Sequence, residues 1–259
     1  MANGKNSVDL FRLTGKKAVV TGGNRGIGRH VAVALADAGA DIAIISSQKE
    51  HAEEAKKEIE SMGVKAMAVG ADVREPDAVN AAFAEIEKEF GRVDILFNNA
   101  GVCINQSALE MTYEEWRKVI DINLTGAFLV AQAAGKIMVR QKKGCIINNA
   151  SISGSIVNVP QPQCAYNASK AGLILLTKSL AVEWADLGVR VNSISPGYVD
   201  VGMSHGAPKY MVDTWMMMSN MKRVGMPDEL ITAVLYLASE ASSFTTGADV
   251  IVDGGFTCR

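Results

Sequence analysis

Tyr166 and Lys170 are the residues of this chain most suited to chemistry. They stand four apart in AYNASKAG, so on a helix they share one face and can enter one cleft. A free tyrosine ionises near pH ~10, about three units above neutrality, a gap of about 4 kcal/mol for a phenol asked to act as a base. A nearby ammonium closes part of that gap, and the pair suits moving a proton to or from the oxygen of a carbonyl/alcohol couple. Ketone reduction needs only a neutral phenol that donates, whereas alcohol oxidation needs the phenolate, and Lys170 assists mainly there. Upstream, SISG carries Ser151 and Ser153. Ser153 is read as the hydroxyl that holds the substrate oxygen against Tyr166, an orienting role, since no histidine lies nearby to make it a nucleophile.

Tyr and Lys at this spacing occur often on helix surfaces, so their meaning depends on the elements that position them. After the first apolar run, KAVVT, comes Thr21-Gly22-Gly23-Asn24-Arg25-Gly26-Ile27-Gly28, followed by an amphipathic stretch. Glycines at a strand-to-helix turn let backbone N–H groups approach a pyrophosphate, which makes Gly22, Asn24, Arg25, Gly26, Ile27 and Gly28 candidates for a cofactor cradle. The spacing is G-x-x-x-G-x-G, a loose match to the general dinucleotide fingerprint. The second apolar run ends at Ser46-Ser47, where an acidic residue would bind a ribose 2′-hydroxyl; Asp41 sits at its beginning, a strand length too early. Ser46, Ser47 and the Arg25 guanidinium favour a 2′-phosphate, hence NADP(H) over NAD(H).

Short apolar runs alternate with amphipathic stretches along the whole chain, the rhythm of βαβ units. About seven strands are expected, with helices over 49–62, 77–90, 114–140 and 165–185. The runs are too continuous for half-exposed strands, so the fold class is α/β: a single-domain doubly wound parallel sheet, Rossmann-like, with helices on both faces over residues 1–259. The methionine-rich stretch 197–223 breaks the rhythm, either as a helix using methionine to fill gaps or as a mobile substrate lid. With 26 basic and 28 acidic residues there is no field to recruit nucleic acid or an anionic membrane. The four cysteines, Cys103, Cys145, Cys164 and Cys258, form neither a metal-binding pattern nor a disulfide framework. No signal-peptide run opens the chain and no segment is read as a membrane span, so a cytoplasmic location is expected.

Taken together, TGGNRGIG, Asp72-Val73, Asn98-Asn99-Ala100-Gly101, Asn123, Ser153, Tyr166, Lys170 and Pro196-Gly197 resemble the short-chain dehydrogenase/reductase family from about residue 13 to the C-terminus. The resemblance implies a catalytic tetrad of Asn123, Ser153, Tyr166 and Lys170. In it Lys170 also binds the nicotinamide ribose, and Asn123 holds a water in a proton relay. The family's usual interval before the tyrosine selects Ser153 over Ser151. Asp72, Val73, Asn99, Ala100, Gly101, Pro196, Gly197 and Val199 would complete the cofactor site, with Asp72 at the adenine and Asn99 beside the adenosine ribose. Where the family often has a threonine touching the carboxamide, this chain has Val201, which leaves that contact missing or supplied by Ser204.

The run SISGSIVNVPQPQCAYNASKAG is similar to polyol dehydrogenases and ketose or carbonyl reductases, such as mannitol dehydrogenase and sorbose and L-xylulose reductases. Asn158, Gln161 and Gln163 would then suit a polyhydroxylated substrate, unless they are simply solvated. Reductases of 3-oxoacyl thioesters or gluconate, and a non-catalytic NADP(H) sensor, are the competing readings. The resemblance also implies a homotetramer or homodimer built on the long helices, with Val130, Ala134, Leu173, Leu176 and Leu180 as contacts unless they pack on the sheet.

Overall fold

The computed structural model describes residues 6–202 and 207–258. Strands β1 (Lys17–Thr21), β2 (Asp41–Ser46), β3 (Ala66–Gly70), β4 (Ile95–Asn98), β5 (Gly144–Asn149), β6 (Val189–Pro196) and β7 (Asp249–Val252) form one sheet in the order β3-β2-β1-β4-β5-β6-β7. Every pairing is parallel. All residues of β4 and β5 are buried, as continuous apolar runs require when both faces are covered. On one face α3 (Pro76–Phe90), α5 (Ala127–Gln141) and α6 (Cys164–Trp184) pack Phe83, Val130 and Leu180 against β1 and β5. On the other, α1 (Gly26–Asp37), α2 (Glu50–Ser61) and α8 (Asp228–Ala238) contribute Leu35, Ile59 and Leu237.

The strand order reverses at β1, whose neighbours are β2 on one side and β4 on the other. The crevice outside the carboxyl ends of these strands is where such sheets place ligands. The glycine loop leaves β1 into it, Asn99 follows β4, Ser151 follows β5, and Pro196 ends β6.

The helix expected over 114–140 is divided. It runs as α4 (Tyr113–Ile120), a π-helical turn over Asp121–Gly126, and α5. A Cβ at Gly126 would stand 2.8 Å from Val73 Cγ2, so the helix passes close to Val73 where it widens. Apolar periodicity does not distinguish i→i+5 from i→i+4 bonding, so the widening left no mark in the sequence. By length and composition Tyr113–Gln141 also qualifies as a membrane span, contrary to expectation, but more than half of its apolar window is buried as in a core helix.

The structure bears on two further expectations. Val130, Ala134, Leu173 and Leu180 are core residues and Leu176 packs against that core, while the residues that α6 turns outward are Leu175 and Val182, the latter 82% exposed. In the methionine-rich stretch, α7 (Lys209–Met218) has no fully buried residue: Met211, Met216 and Met218 are half-buried and Met217 is exposed.

Candidate active site

Tyr166 and Lys170 occupy the first turns of α6, on the face toward the strand ends. Lys170 is 4% exposed, its ammonium donates to the Asn149 carbonyl at 2.6 Å and lies 5.5 Å from the centre of the Tyr166 ring. Burial pushes Lys170 down to about 8 and Tyr166 up to about 12. Desolvation of the phenolate is the largest cause for Tyr166, opposed by the hydrogen bond from Ser151. At pH 7 a phenolate here would cost roughly 7 kcal/mol, so Tyr166 stands as a neutral phenol.

The serine expectation is reversed. The hydroxyl that hydrogen-bonds Tyr166 belongs to Ser151, which follows β5 and is 8% exposed. Ser153 lies behind it in a 3-10 turn; Ser151 Oγ donates to Ser153 Oγ at 3.1 Å, and Gln163 Nε2 does so at 3.2 Å. The extended Ser151 caps this turn through its own oxygen, accepting from the Ser153 N–H. A sequence interval counts residues and cannot report that the first serine, at the strand end, faces the cleft.

Asn123 sits in the π-helical turn, almost wholly buried. Its Oδ1 accepts from Val102 N and its Nδ2 donates to Val102 O, both at 2.8 Å, and to Ser169 Oγ at 3.1 Å. Ser169 Oγ in turn donates to the Tyr166 carbonyl, tying the π turn to the start of α6. Both Nδ2 hydrogens and one Oδ1 lone pair of the carboxamide are thus committed within the protein.

The glycine loop is built for close approach. Gly22 and Gly26 have φ of +64° and +54°, and a Cβ on Gly28 would lie 2.3 Å from the Gly22 carbonyl oxygen. Arg25 is the N-cap residue of α1 with no side-chain cap, so the first N–H groups of the helix, including those of Ile27 and Gly28, remain for an anion. Asn24 is half-buried in the turn and the Arg25 side chain is exposed. Ser46 closes β2, buried, and Ser47 lies just beyond it, exposed.

Asn99 is a strut of this cradle. Its N–H donates to Thr21 Oγ1, its Nδ2 to the carbonyls of Thr21 and Gly22, and its Oδ1 accepts from Asn149 Nδ2. These bonds give Asn99 a sheet-supporting role alongside its expected place at the ribose. Ala100 N–H also donates to Thr21 Oγ1, and Gly101 lies against Asn123. Asp72 follows β3 and is held by Arg74, whose guanidinium and backbone N–H keep the carboxylate below its usual range. Val73 is a core residue. Gly197 passes so close to Asp253 that a Cβ would be 2.7 Å from Asp253 Cα, and Val199 bridges to Gly225. Val201 lies beside the glycine loop, 3.8 Å from where a Gly26 Cβ would be. Ser204, the alternative carboxamide partner, is outside the described residues.

A nicotinamide dinucleotide fits these residues. Besides the cradle that a Cβ would fill, Asn149 Oδ1 is buried with no partner among the described residues. It sits on the residue that joins Asn99 to Lys170, an acceptor suited to a hydroxyl that the protein does not supply.

At the substrate end, Asn158, Gln161 and Gln163 are buried and bonded to one another and to aromatic groups rather than solvated. Asn158 Nδ2 and Gln161 Nε2 donate to the Tyr198 hydroxyl oxygen at 2.9 and 2.7 Å. Trp215 of α7 stacks on Tyr198 with ring centres 4.3 Å apart and donates its indole N–H to Gln161 Oε1 at 3.0 Å. Cys103 reaches Gln163 Oε1 from the cleft and, though accessible, is pushed up to about 11 by the protein around it, so it remains a thiol. Tyr198 and Trp215 escaped sequence reasoning. The available signals were an aromatic ring directly after Pro196-Gly197 and an isolated tryptophan among methionines.

A doubly wound sheet whose crevice holds a glycine-lined anion cradle beside a serine, a phenol and a buried lysine defines a dinucleotide-dependent oxidoreductase. The comparisons make this specific. The family model described as enoyl-(acyl carrier protein) reductase matches residues 22–257. The sorbose reductase of Candida albicans is 46% identical over 98% of this chain and 91% of its own length. The NADP-dependent mannitol dehydrogenase of Alternaria alternata is 44% identical over 97% and 96%. The crystal structure of a short-chain type dehydrogenase/reductase from Mycobacterium marinum superposes with a TM-score of 0.94 at 42% identity, covering 98% of this chain and all of that one. The chain belongs to the short-chain dehydrogenase/reductase family.

Proposed function

We propose that this oxidoreductase uses NADP(H) to interconvert a small, neutral hydroxyketone of the ketose class and the corresponding polyol. The observation that carries the reading is the Ser151–Tyr166–Lys170 arrangement in the crevice at the strand ends. The substrate class is supported by sorbose and mannitol in the names of the relatives, and by a substrate end made of amides, a phenol, an indole and a thiol, none of them charged. NADP(H) is supported by Arg25, Ser46 and Ser47 and by the NADP-dependent relative.

The nicotinamide supplies or accepts a hydride when bound. Gly22, Asn24, Gly26, Ile27 and Gly28 cradle its pyrophosphate, Asp72 and Val73 bound the adenine end, and Lys170 and Asn149 hold the nicotinamide ribose. Ala100, Gly101, Pro196, Gly197 and Val199 line the remaining wall. In reduction Ser151 orients the carbonyl oxygen and Tyr166 donates its phenolic proton to it. Lys170 supports the phenolate that results, and a water held by Asn123 returns a proton. Ser153 and Gln163 keep Ser151 in place. Residues 197–223 act as a lid through Trp215, and the protein works as a cytoplasmic homotetramer.

The test is NADPH oxidation with fructose, sorbose, xylulose, a ketogluconate, an acetoacetyl thioester and simple aryl ketones. Turnover of the neutral ketoses is expected; turnover of the thioester or the ketogluconate alone overturns the substrate class. Tight NADPH binding without reduction of any carbonyl, unchanged by Tyr166→Phe, would make the chain a sensor.

A further inference from the structure

The group that most resists a structural explanation is the Tyr198 hydroxyl. Trp215 has only a donor, so the Gln161 atom facing it is the carbonyl oxygen, which obliges the Gln161 NH2 to face Tyr198. Gln163 Nε2 donates to Asn158 Oδ1 at 3.0 Å, which turns the Asn158 NH2 to Tyr198 as well. The phenol oxygen therefore accepts two amide N–H groups, and its own proton has no acceptor in that pair. Trp215 covers one ring face and Phe256 meets the ring edge-on at 5.4 Å, so the ring cannot swing away. Tyr198 is only partly buried and lies near enough to Tyr166 to disfavour ionisation of the Tyr166 phenol.

From this geometry we infer that Tyr198 is the residue that reads a hydroxyl of the substrate next to its reacting carbonyl, donating its phenolic hydrogen to that neutral oxygen. Two buried amides orient the donor before substrate arrives, so little freedom is lost on binding. Trp215 makes the device depend on α7: the lid helix, which buries no residue of its own, touches the site through an indole that both stacks on Tyr198 and sets the Gln161 amide. The inference rests on the hydroxyketone reading above.

The experiment compares Tyr198→Phe with the parent enzyme on a ketose and on a cyclic ketone of similar size without hydroxyls, alongside NADPH binding by fluorescence titration and a thermal melt. KM for the ketose is expected to rise about tenfold, as for one neutral hydrogen bond, with kcat changed less. The plain ketone and the NADPH affinity should stay within about twofold. Gln161→Leu, which removes one of the two orienting donors and leaves the phenol, should raise KM for the ketose by a smaller factor and serves if Tyr198→Phe melts early. Equal loss on both ketones, or no change on the ketose, overturns the inference. If the parent enzyme itself ignores ketoses, the functional reading has failed rather than the role of Tyr198.

Discussion

Tyr166 meets Ser151 rather than Ser153, which separates two substitutions that the bare sequence would treat alike. Ser151→Ala should cut kcat by about a hundredfold, because the carbonyl loses its alignment with the phenol. Ser153→Ala should cost less than about tenfold, because it loosens the support of Ser151 without removing the contact. Measuring both kcat values with one ketone decides the assignment, and the opposite ranking would refute it. Lys170, held near 8 by burial, gives the reaction a pH signature. Tyr166, near 12, remains a phenol throughout the working range. In reduction the ammonium supports the phenolate left after proton donation, so kcat should be full below pH 8 and fall as Lys170 deprotonates above it. Oxidation needs the phenolate itself, which the same ammonium supports, so it should lose that support through the same region. The anionic cofactor will move the midpoint upward, never below about 8, and a flat profile in both directions would remove Lys170 from the relay.

The glycine turn between β1 and α1 tolerates almost nothing at Gly28. An alanine there would set its Cβ 2.3 Å from a backbone oxygen, which only a shift of the loop can relieve. Gly28→Ala should weaken NADPH binding by more than about tenfold in a fluorescence titration, since the N–H groups that meet the pyrophosphate move with the loop. Arg25, exposed and uncommitted to the cap of α1, acts on selectivity instead. Arg25→Ala should reduce the ratio of kcat/KM for NADPH over NADH by about tenfold or more, the loss of a charged hydrogen bond, and leave NADH nearly unaffected. An unchanged ratio would place the 2′-phosphate elsewhere.

Across the whole molecule, the exposed large apolar residues include Leu175 and Val182 on α6, Phe244 near the edge strand β7 and Ile251 on it. If the protein forms the proposed tetramer, these residues are its candidate two-fold contacts, since each such contact needs an open apolar surface. Val182→Glu changes a side chain that is 82% exposed, so the monomer should melt within about a degree or two of the parent, a surface effect. Light scattering should nonetheless show a smaller species, and a parent protein of monomeric mass would reject the assembly.

By itself the sequence determined the parallel sheet, because buried strands demand continuous apolar runs and the amphipathic stretches between them demand covering helices. It also determined the glycine cradle and the Tyr166–Lys170 pair, since each depends on a local backbone conformation or a helical spacing. The tertiary structure alone decided which of two serines meets the phenol, because that turns on how the chain leaves β5 and not on a count of residues. It likewise decided that Asn158 and Gln161 serve Tyr198, and that Trp215 holds both ring and amide. These contacts join residues about 40 and 54 positions apart, a distance over which spacing carries no information and only packing and the pairing of buried donors with acceptors choose the partners. Tyr166 ended less acidic than a spacing argument allows for the same reason: burial, a property of the folded whole, is the largest influence on its phenol.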